Sequence, residues 1–460
     1  MGKTLFEKLW DLHVVCEDDD GTCLLFIDRI YLHDLCGAFS FQMLNKNGYS
    51  VRRPEAVIAS PDHTLSSKCG RAGEDSPECR SILPRLRRGC KKYGVTLFDI
   101  NDDRQGIIHI IGPEQGFSLP GMTILCGDSH TCTHGAVGAL ALGVGTSEVY
   151  HALATSCLWV RKPKTMRIWI GGTRDDGVEP MDIILHLIAE QGISRGIGYA
   201  VEYCGPVVEQ MTMDERFTLC NLTIEMGAEY GVIAPDDTTI AYFRDKPNAP
   251  KGKMLEALIA HCKEIRSDPD CKYDAEISED ITGLTRQITW GINPGQTVSV
   301  FGGVPSVPAG ADENEKTLFE KAYGYMGYGP GMRMQDLSIQ RVFIGSCSNG
   351  RLSYLVKSAA LVKGKHVAGG VEALIVPGSM AVKRAAEAQG LDDIFTEAGF
   401  QWGEPGCSLC AGSNGERVAA GQHCVSTTNR NFIGRQGRDA RTHLASPVTA
   451  AMAAISGKIQ

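Results

Sequence analysis

Hydrophobic and polar positions change period along this chain, and the changes mark its elements. Short β-branched or apolar runs give way to stretches with helical spacing and then to glycine-bearing turns, the pattern of α/β architecture. It is clearest towards the C-terminus. There RVFIGS at 341–346 predicts a buried strand, 352–363 a helix, VEALIVP at 371–377 the next strand and 381–389 a further helix. Upstream, a helix is expected over 147–160 and a strand over TMRIWI at 165–170, with Lys162-Pro163-Lys164 as a boundary between them. A second boundary falls in the acidic, irregular stretch 269–294. The expected division is therefore three α/β domains, 1–164, 165–285 and 286–460, which agrees with roughly 150 residues per domain. No internal repeat is visible in the sequence.

Composition narrows the function class. The net charge is −8, and no basic block is long enough to track a phosphate backbone, which argues against nucleic acid as a partner. The N-terminus is broken by Glu7, Lys8, Asp11 and His13, so it lacks the apolar core of a signal peptide, and Phe6 stands where myristoylation wants Ser or Thr. No apolar span reaches about 18 residues. Seventeen cysteines, an odd number spread over the chain, fit a reduced enzyme better than a secreted disulfide framework. The expectation is a soluble cytoplasmic protein without a membrane partner.

Most of those cysteines read as small buried hydrophobes. Three stand apart by context. Cys347 falls where a strand ends in a glycine-containing turn before a helix, the place where open α/β sheets put their ligands. Cys407 and Cys410 form a C-x-x-C inside EPGCSLCAGSNG, and only the fold can bring them to Cys347. Three readings stay open on these residues. One is structural zinc with Cys424 or His423 as the fourth ligand, and another is a redox C-x-x-C, which Pro405, Gly406 and Gly412 disfavour by preventing a long helix. The third is an iron-sulfur cluster with three cysteinyl irons and one open position.

Other motifs carry acid-base groups. Gly127-Asp128-Ser129-His130-Thr131 follows the apolar run MTILC, Asp62-His63 follows VIASP, and His109 sits in GIIHIIG, which reads as an apolar strand. Taken singly, each histidine is more often a hydrogen-bonded core residue than a catalyst. Arg430 and Arg435, five apart in NRNFIGR, suit a di- or tricarboxylate through bidentate contacts, although such a pair is also an ordinary solvated surface feature.

With these motifs in order, the chain resembles the aconitase superfamily, and within it the family of isopropylmalate dehydratase large subunits. The stretches that carry the resemblance include GIIHIIGPEQGFSLPGMTILCGDSHTCTHGA, TLCNLTIEMGAEYGVIAPD, VFIGSCSNGR, FTEAGFQWGEPGCSLC and STTNRNFIGRQGRDARTHLASP, spread from Leu5 to Pro447. The resemblance implies three aconitase-type domains around a [4Fe-4S] cluster held by Cys347, Cys407 and Cys410, its fourth iron open to substrate. It implies dehydration of a 2-hydroxy acid followed by rehydration on the neighbouring carbon. Asp62 and His63 would protonate the departing hydroxyl, and His109, Asp128, His130 and Glu225 would surround it. Asn221 and Asn429 would lie beside the cluster, with Ser129, Arg430 and Arg435 contacting substrate or cluster. The family's swivelling fourth domain has no counterpart before Gln460, so a small partner subunit is expected to supply it.

Three departures from the family pattern bear on substrate. Ser348 stands where the family carries threonine, the loop after Cys410 differs, and Phe39 takes the place of a glutamine near the active site. Exchanging an amide for an aromatic ring removes a hydrogen bond and makes that wall more apolar. Isopropylmalate is the first candidate substrate, with citramalate, dimethylmalate, homocitrate or benzylmalate as alternatives. A cluster-sensing, RNA-binding role and a zinc-bound pseudoenzyme are disfavoured by the charge balance and the retained acid-base set.

Overall fold

The computed structural model describes residues 2–73 and 75–460. The chain forms two compact units, one built from residues 1–64, 72–173 and 194–282, the other from 65–71, 174–193 and 283–460. The architecture is mixed α/β with parallel sheets, as the alternating periods predict.

The first unit holds two parallel sheets. One runs Thr96–Leu97, Val57–Ala59, Arg29–Leu32, Thr123–Cys126, Leu140–Gly143 across the sheet. In chain order that is 3-2-1-4-5, a doubly wound arrangement that reverses direction between Arg29–Leu32 and Thr123–Cys126. The three central strands are largely apolar and almost wholly buried, as strands covered on both faces must be. The second sheet runs Tyr230–Ile233, Tyr199–Cys204, Lys164–Gly171, Ala275–Asp280, an order of 3-2-1-4. A small antiparallel sheet of Val14–Glu17, Thr22–Phe26 and Cys157–Arg161 completes the unit.

The second unit repeats the theme. Its strands run Gln401–Trp402, Glu372–Ile375, Arg341–Ile344, His423–Ser426, Arg441–Leu444, again 3-2-1-4-5 and all parallel. Val342, Ile344, Ile375 and Val425 pack with Leu355, Ala359, Phe395 and the alanine-rich helix Pro447–Ser456 to form the core. The predicted elements here are found as Arg341–Ile344, Leu352–Val362, Glu372–Ile375 and Met380–Glu387.

Two local expectations are corrected. The helix expected over 147–160 stops at Thr155, because Ser156 takes a left-handed conformation (φ 63°) and caps Ala152 O. Cys157–Arg161 then becomes an edge strand on Thr22–Phe26. His109 sits not on a strand but on the short helix Ile108–Glu114, which is buried at every position from 108 to 113 and so shows no helical period.

Candidate active site

In the first unit the chemistry gathers at the carboxyl ends of the central strands, where a doubly wound sheet leaves a crevice. Strand Arg29–Leu32 is followed by His33 and Asp34, Val57–Ala59 by Asp62 and His63, and Thr123–Cys126 by Asp128. Three separate loops thus bring together residues up to about a hundred positions apart.

Asp128 is the centre of this set. Its carboxylate faces three imidazoles: His63 Nε2 at 3.3 Å, His130 Nδ1 at 3.3 Å and His109 Nε2 at 3.5 Å. Burial alone would raise its pKa, but the three histidines outweigh burial and hold the carboxyl well below the usual carboxylate range. Asp128 also caps the run Ser129–Val137, accepting His130 N at 2.7 Å, so one residue both starts the turn and orients its histidine. His130 reaches with Nε2 to Glu225 Oε1 at 3.0 Å, so both of its ring nitrogens face carboxylate oxygens. Ser129 opens the run and is half-buried.

His63 donates from Nδ1 to Asp62 Oδ1 at 2.6 Å, while Asp62 Oδ2 accepts Ile108 N at 2.9 Å. That pair fixes the ring so that Nε2 faces Asp128. Beneath it lies Asp34, fully buried, accepting Thr64 N at 2.8 Å and His63 N at 3.2 Å. Burial would raise Asp34 too; the His33 and His63 rings and the Thr64 bonds hold it well below its ordinary value. The His33 ring lies against His63, tilted by 31° with centroids 4.3 Å apart. His33 and Asp34 are absent from the sequence-derived candidates, although they stand at a strand end as Asp128 does, which is the signal that marks them. Phe39, in the helix Asp34–Asn47, is 43% exposed. Asn221 ends the helix Met213–Asn221 and donates to Thr133 Oγ1 at 2.6 Å, within the His130 turn.

In the second unit the same strand-end logic places the thiols. Arg341–Ile344 ends in Gly345, then Ser346 (φ 77°) and Cys347. The loop after Gln401–Trp402 leads to Cys407 and the short turn Ser408–Cys410, with Ser408 also at positive φ (46°). Among the described residues, two of the four non-glycine positions with positive φ thus flank cysteines of interest, and such strain persists only where surrounding contacts impose it. Cys347, Cys407 and Cys410 are all buried. Asn429, after strand His423–Ser426, bridges two of them: Nδ2 donates to Cys347 Sγ at 3.7 Å and Oδ1 accepts from Cys410 Sγ at 3.3 Å and Ser346 Oγ at 2.6 Å.

This donor set suits a cluster better than a single zinc ion. Tetrahedral zinc with thiolates at about 2.3 Å needs sulfurs about 3.8 Å apart. Among the described residues, the three thiols are not a group whose ligand atoms all lie within 4.8 Å of one another. Nor does either proposed fourth zinc ligand turn towards them. His423 bonds His443 and Arg441, and Cys424 is a core thiol whose Sγ lies 3.8 Å from Val425 O and whose pKa burial pushes up to about 12.

Arg430 follows Asn429 directly and is half-buried. Arg435 lies with its guanidinium 5.5 Å from the Phe432 ring centroid, and its buried Nε has no hydrogen-bond partner. Among the described residues no helix is long and apolar enough to cross a membrane.

Residues 7–457 match the model of the Aconitase family (aconitate hydratase). Among solved structures, the holo-form of aconitase X from Thermococcus kodakaraensis is similar over 93% of this chain and 88% of that one, at 12% identity and a TM-score of 0.47.

Proposed function

Since the chain belongs to the aconitase family, we propose that it is the large subunit of an iron-sulfur hydro-lyase that converts 2-isopropylmalate to 3-isopropylmalate. The observation that carries the reading is Asp128 ringed by His63, His109 and His130 in a chain matched to that family over 7–457. The isopropylmalate branch is supported by the long motifs around these residues. Cys347, Cys407 and Cys410 would hold a [4Fe-4S] cluster, which when bound supplies a Lewis acid for a poor leaving group such as hydroxide.

The chain's own residues would manage the protons. His63, oriented by Asp62, would donate to the departing hydroxyl and recover the proton on rehydration. Asp128 and Glu225 would stabilise positive charge on the surrounding imidazoles as that proton moves, with His109 Nε2 hydrogen-bonding the oxygen and His130 holding Asp128 and Glu225 beside it. Asn221 and Asn429 would hold the turns bearing His130 and the thiols, and Ser129, Arg430 and Arg435 would bind the substrate carboxylates. A small subunit would supply the remaining base, and the enzyme would work in the cytoplasm. The Phe39 position favours a second reading on the same chemistry, in which another alkyl- or arylmalate is preferred.

The test is anaerobic reconstitution with iron and sulfide, with and without a small subunit, followed by alkene detection on a panel of 2- and 3-substituted malates. A brown protein that turns over isopropylmalate only with its partner is the expected result. Colourless protein with stoichiometric zinc would overturn the reading, and full turnover by the lone chain would remove the partner from it.

A further inference from the structure

Behind Asp128 runs a line of hydrogen bonds that the proposed chemistry does not use. His109 Nδ1 lies 3.1 Å from His134 Nε2, His134 Nδ1 lies 2.9 Å from Ser118 Oγ, and Ser118 Oγ lies 2.7 Å from the Tyr31 hydroxyl. All four side chains are buried, at 1% exposure or less. Tyr31 stacks on the His134 ring at 5.1 Å, and His109 meets that ring edge-on at 5.2 Å. Gly112 keeps the far end open: a Cβ there would lie 2.7 Å from the Tyr31 hydroxyl and 2.8 Å from Ser118 Oγ. His134 lies in the run HTCTHG, four positions after His130 and away from any strand end, so nothing local marks it.

The donors can be ordered from the Asp128 end. That carboxylate is ionised and faces His109 Nε2 at 3.5 Å, so a proton on Nε2 is attracted where a lone pair would be repelled. A neutral His109 protonated on Nε2 has a bare Nδ1, which accepts from His134 Nε2. His134 Nδ1 then accepts from the Ser118 hydroxyl, and Ser118 accepts from Tyr31. We propose that Tyr31, Ser118 and His134 lock His109 as its Nε2-protonated tautomer, making them positioning residues for the reaction. The line is a lock and not a proton wire. Passing a proton along it would leave a phenolate at Tyr31, and burial pushes that phenol above its ordinary range. What His109 does in turnover rests on the proposed function; the tautomer itself does not.

The experiment is ring-¹⁵N histidine NMR on the full chain, in which bare and protonated ring nitrogens resonate far apart, with each signal assigned by single substitution. His109 is expected as one tautomer, Nδ1 bare. His134→Leu should mix the tautomers, and His134→Gln, whose amide can still donate, should restore one. If His134→Leu fails to fold, Ser118→Ala provides a milder break in the same line and should produce the same mixing. A wild-type His109 protonated on Nδ1, or a single unchanged tautomer in folded His134→Leu, would overturn the lock. In cluster-loaded enzyme, His134→Leu should lower kcat roughly tenfold to a hundredfold with little change in KM, and His134→Gln should recover most of it. Absence of hydro-lyase activity in the wild type would count against the proposed function and leave the NMR result standing.

Discussion

Glu416 holds the cysteine turn without a positive charge. Its carboxylate accepts Ser67 N at 2.7 Å, Ser67 Oγ at 2.9 Å and Ser408 Oγ at 2.6 Å, so it ties the strained residue between Cys407 and Cys410 to a second loop. Burial alone would raise its pKa, yet the Ser408, Ser67 and Asn414 bonds keep the carboxyl below its ordinary value. Partners that orient metal ligands typically change affinity by about 10- to 100-fold when removed. Glu416→Gln, which keeps volume but replaces an acceptor with a donor, should therefore release iron to a chelator about 10- to 100-fold more readily while all three thiols remain. Cys407→Ser should abolish iron retention, and Cys157→Ser, in the edge strand, should leave it unchanged. Equal iron retention in Glu416→Gln and the parent would show that the turn holds its shape without the carboxylate. Glu416 itself was silent in the sequence, because a lone acid in a polar loop gives no sign that it meets Ser67, 349 residues earlier.

At the scale of elements, the turn bearing His130 and His134 is set by a close approach. Gly135 lies against the strand Tyr230–Ile233, and a Cβ there would sit 1.8 Å from Gly231 O. Backbone cannot yield as a flexible side chain can. Gly135→Ala should cost at least about 2 kcal/mol and displace the turn, lowering the melting temperature and hydro-lyase activity together. A variant with parental stability would mean that the turn relaxes freely. How far such elements could be foreseen depended on whether their signal was local. The strand-helix series from Arg341 to Glu387 was legible because apolar runs and helical spacing alternate cleanly there. The strand Cys157–Arg161 was not, since its end of the helix depends on Ser156 adopting a left-handed turn. Of the candidate site, Asp62, His63, Asp128 and His130 could be read because each follows a recognisable strand. His134 could not, since its role comes from His109 and Ser118 on other segments. The strand order 3-2-1-4 recurs in all three parallel sheets although no repeat is visible in the residues, because topology is carried by which strands pair and not by their letters.

For the molecule as a whole, the response to acid divides between the two units. In the first, Asp34 and Asp128 are held low, so the stability they give is present above the unfolded carboxyl value near 3.8 and is lost only as pH falls through their folded values. His13 is raised: burial opposes it, but the Asp28 bond and Leu9 O prevail, so its contribution is fully present below about 6.5 and fades as pH rises. The second unit contains a histidine pair of opposite sign. His443 donates from Nδ1 to Thr289 O at 2.8 Å, accepts at Nε2 from His423 Nδ1 at 2.9 Å, and His423 Nε2 in turn accepts from Arg441 at 3.2 Å. The two links in which a ring nitrogen accepts require both rings neutral, and burial followed by the neighbouring charges pushes His423 down to about 3 and His443 down to about 4. The unfolded chain takes up these protons near 6.5 and the folded one does not, so stability falls from pH 6.5 downward, by on the order of 2 kcal/mol per histidine at pH 5. Asp182 works the other way. Burial raises its carboxyl to about 7, so protonation below that value gains on the order of 3 kcal/mol by pH 5 and masks most of the loss. The pair is therefore exposed by comparing variants and not by the wild-type pH curve alone. Gln at 443 can donate to Thr289 O and accept from His423, so His443→Gln keeps the links and removes one titrating group. It should reduce the drop in protection of the Val342 and Val425 amides between pH 7 and pH 5, followed by hydrogen exchange, by about 2 kcal/mol relative to the parent, with Ile30 of the first unit unaffected. An unchanged pH response at Val342 would mean that His443 is already charged in the folded protein.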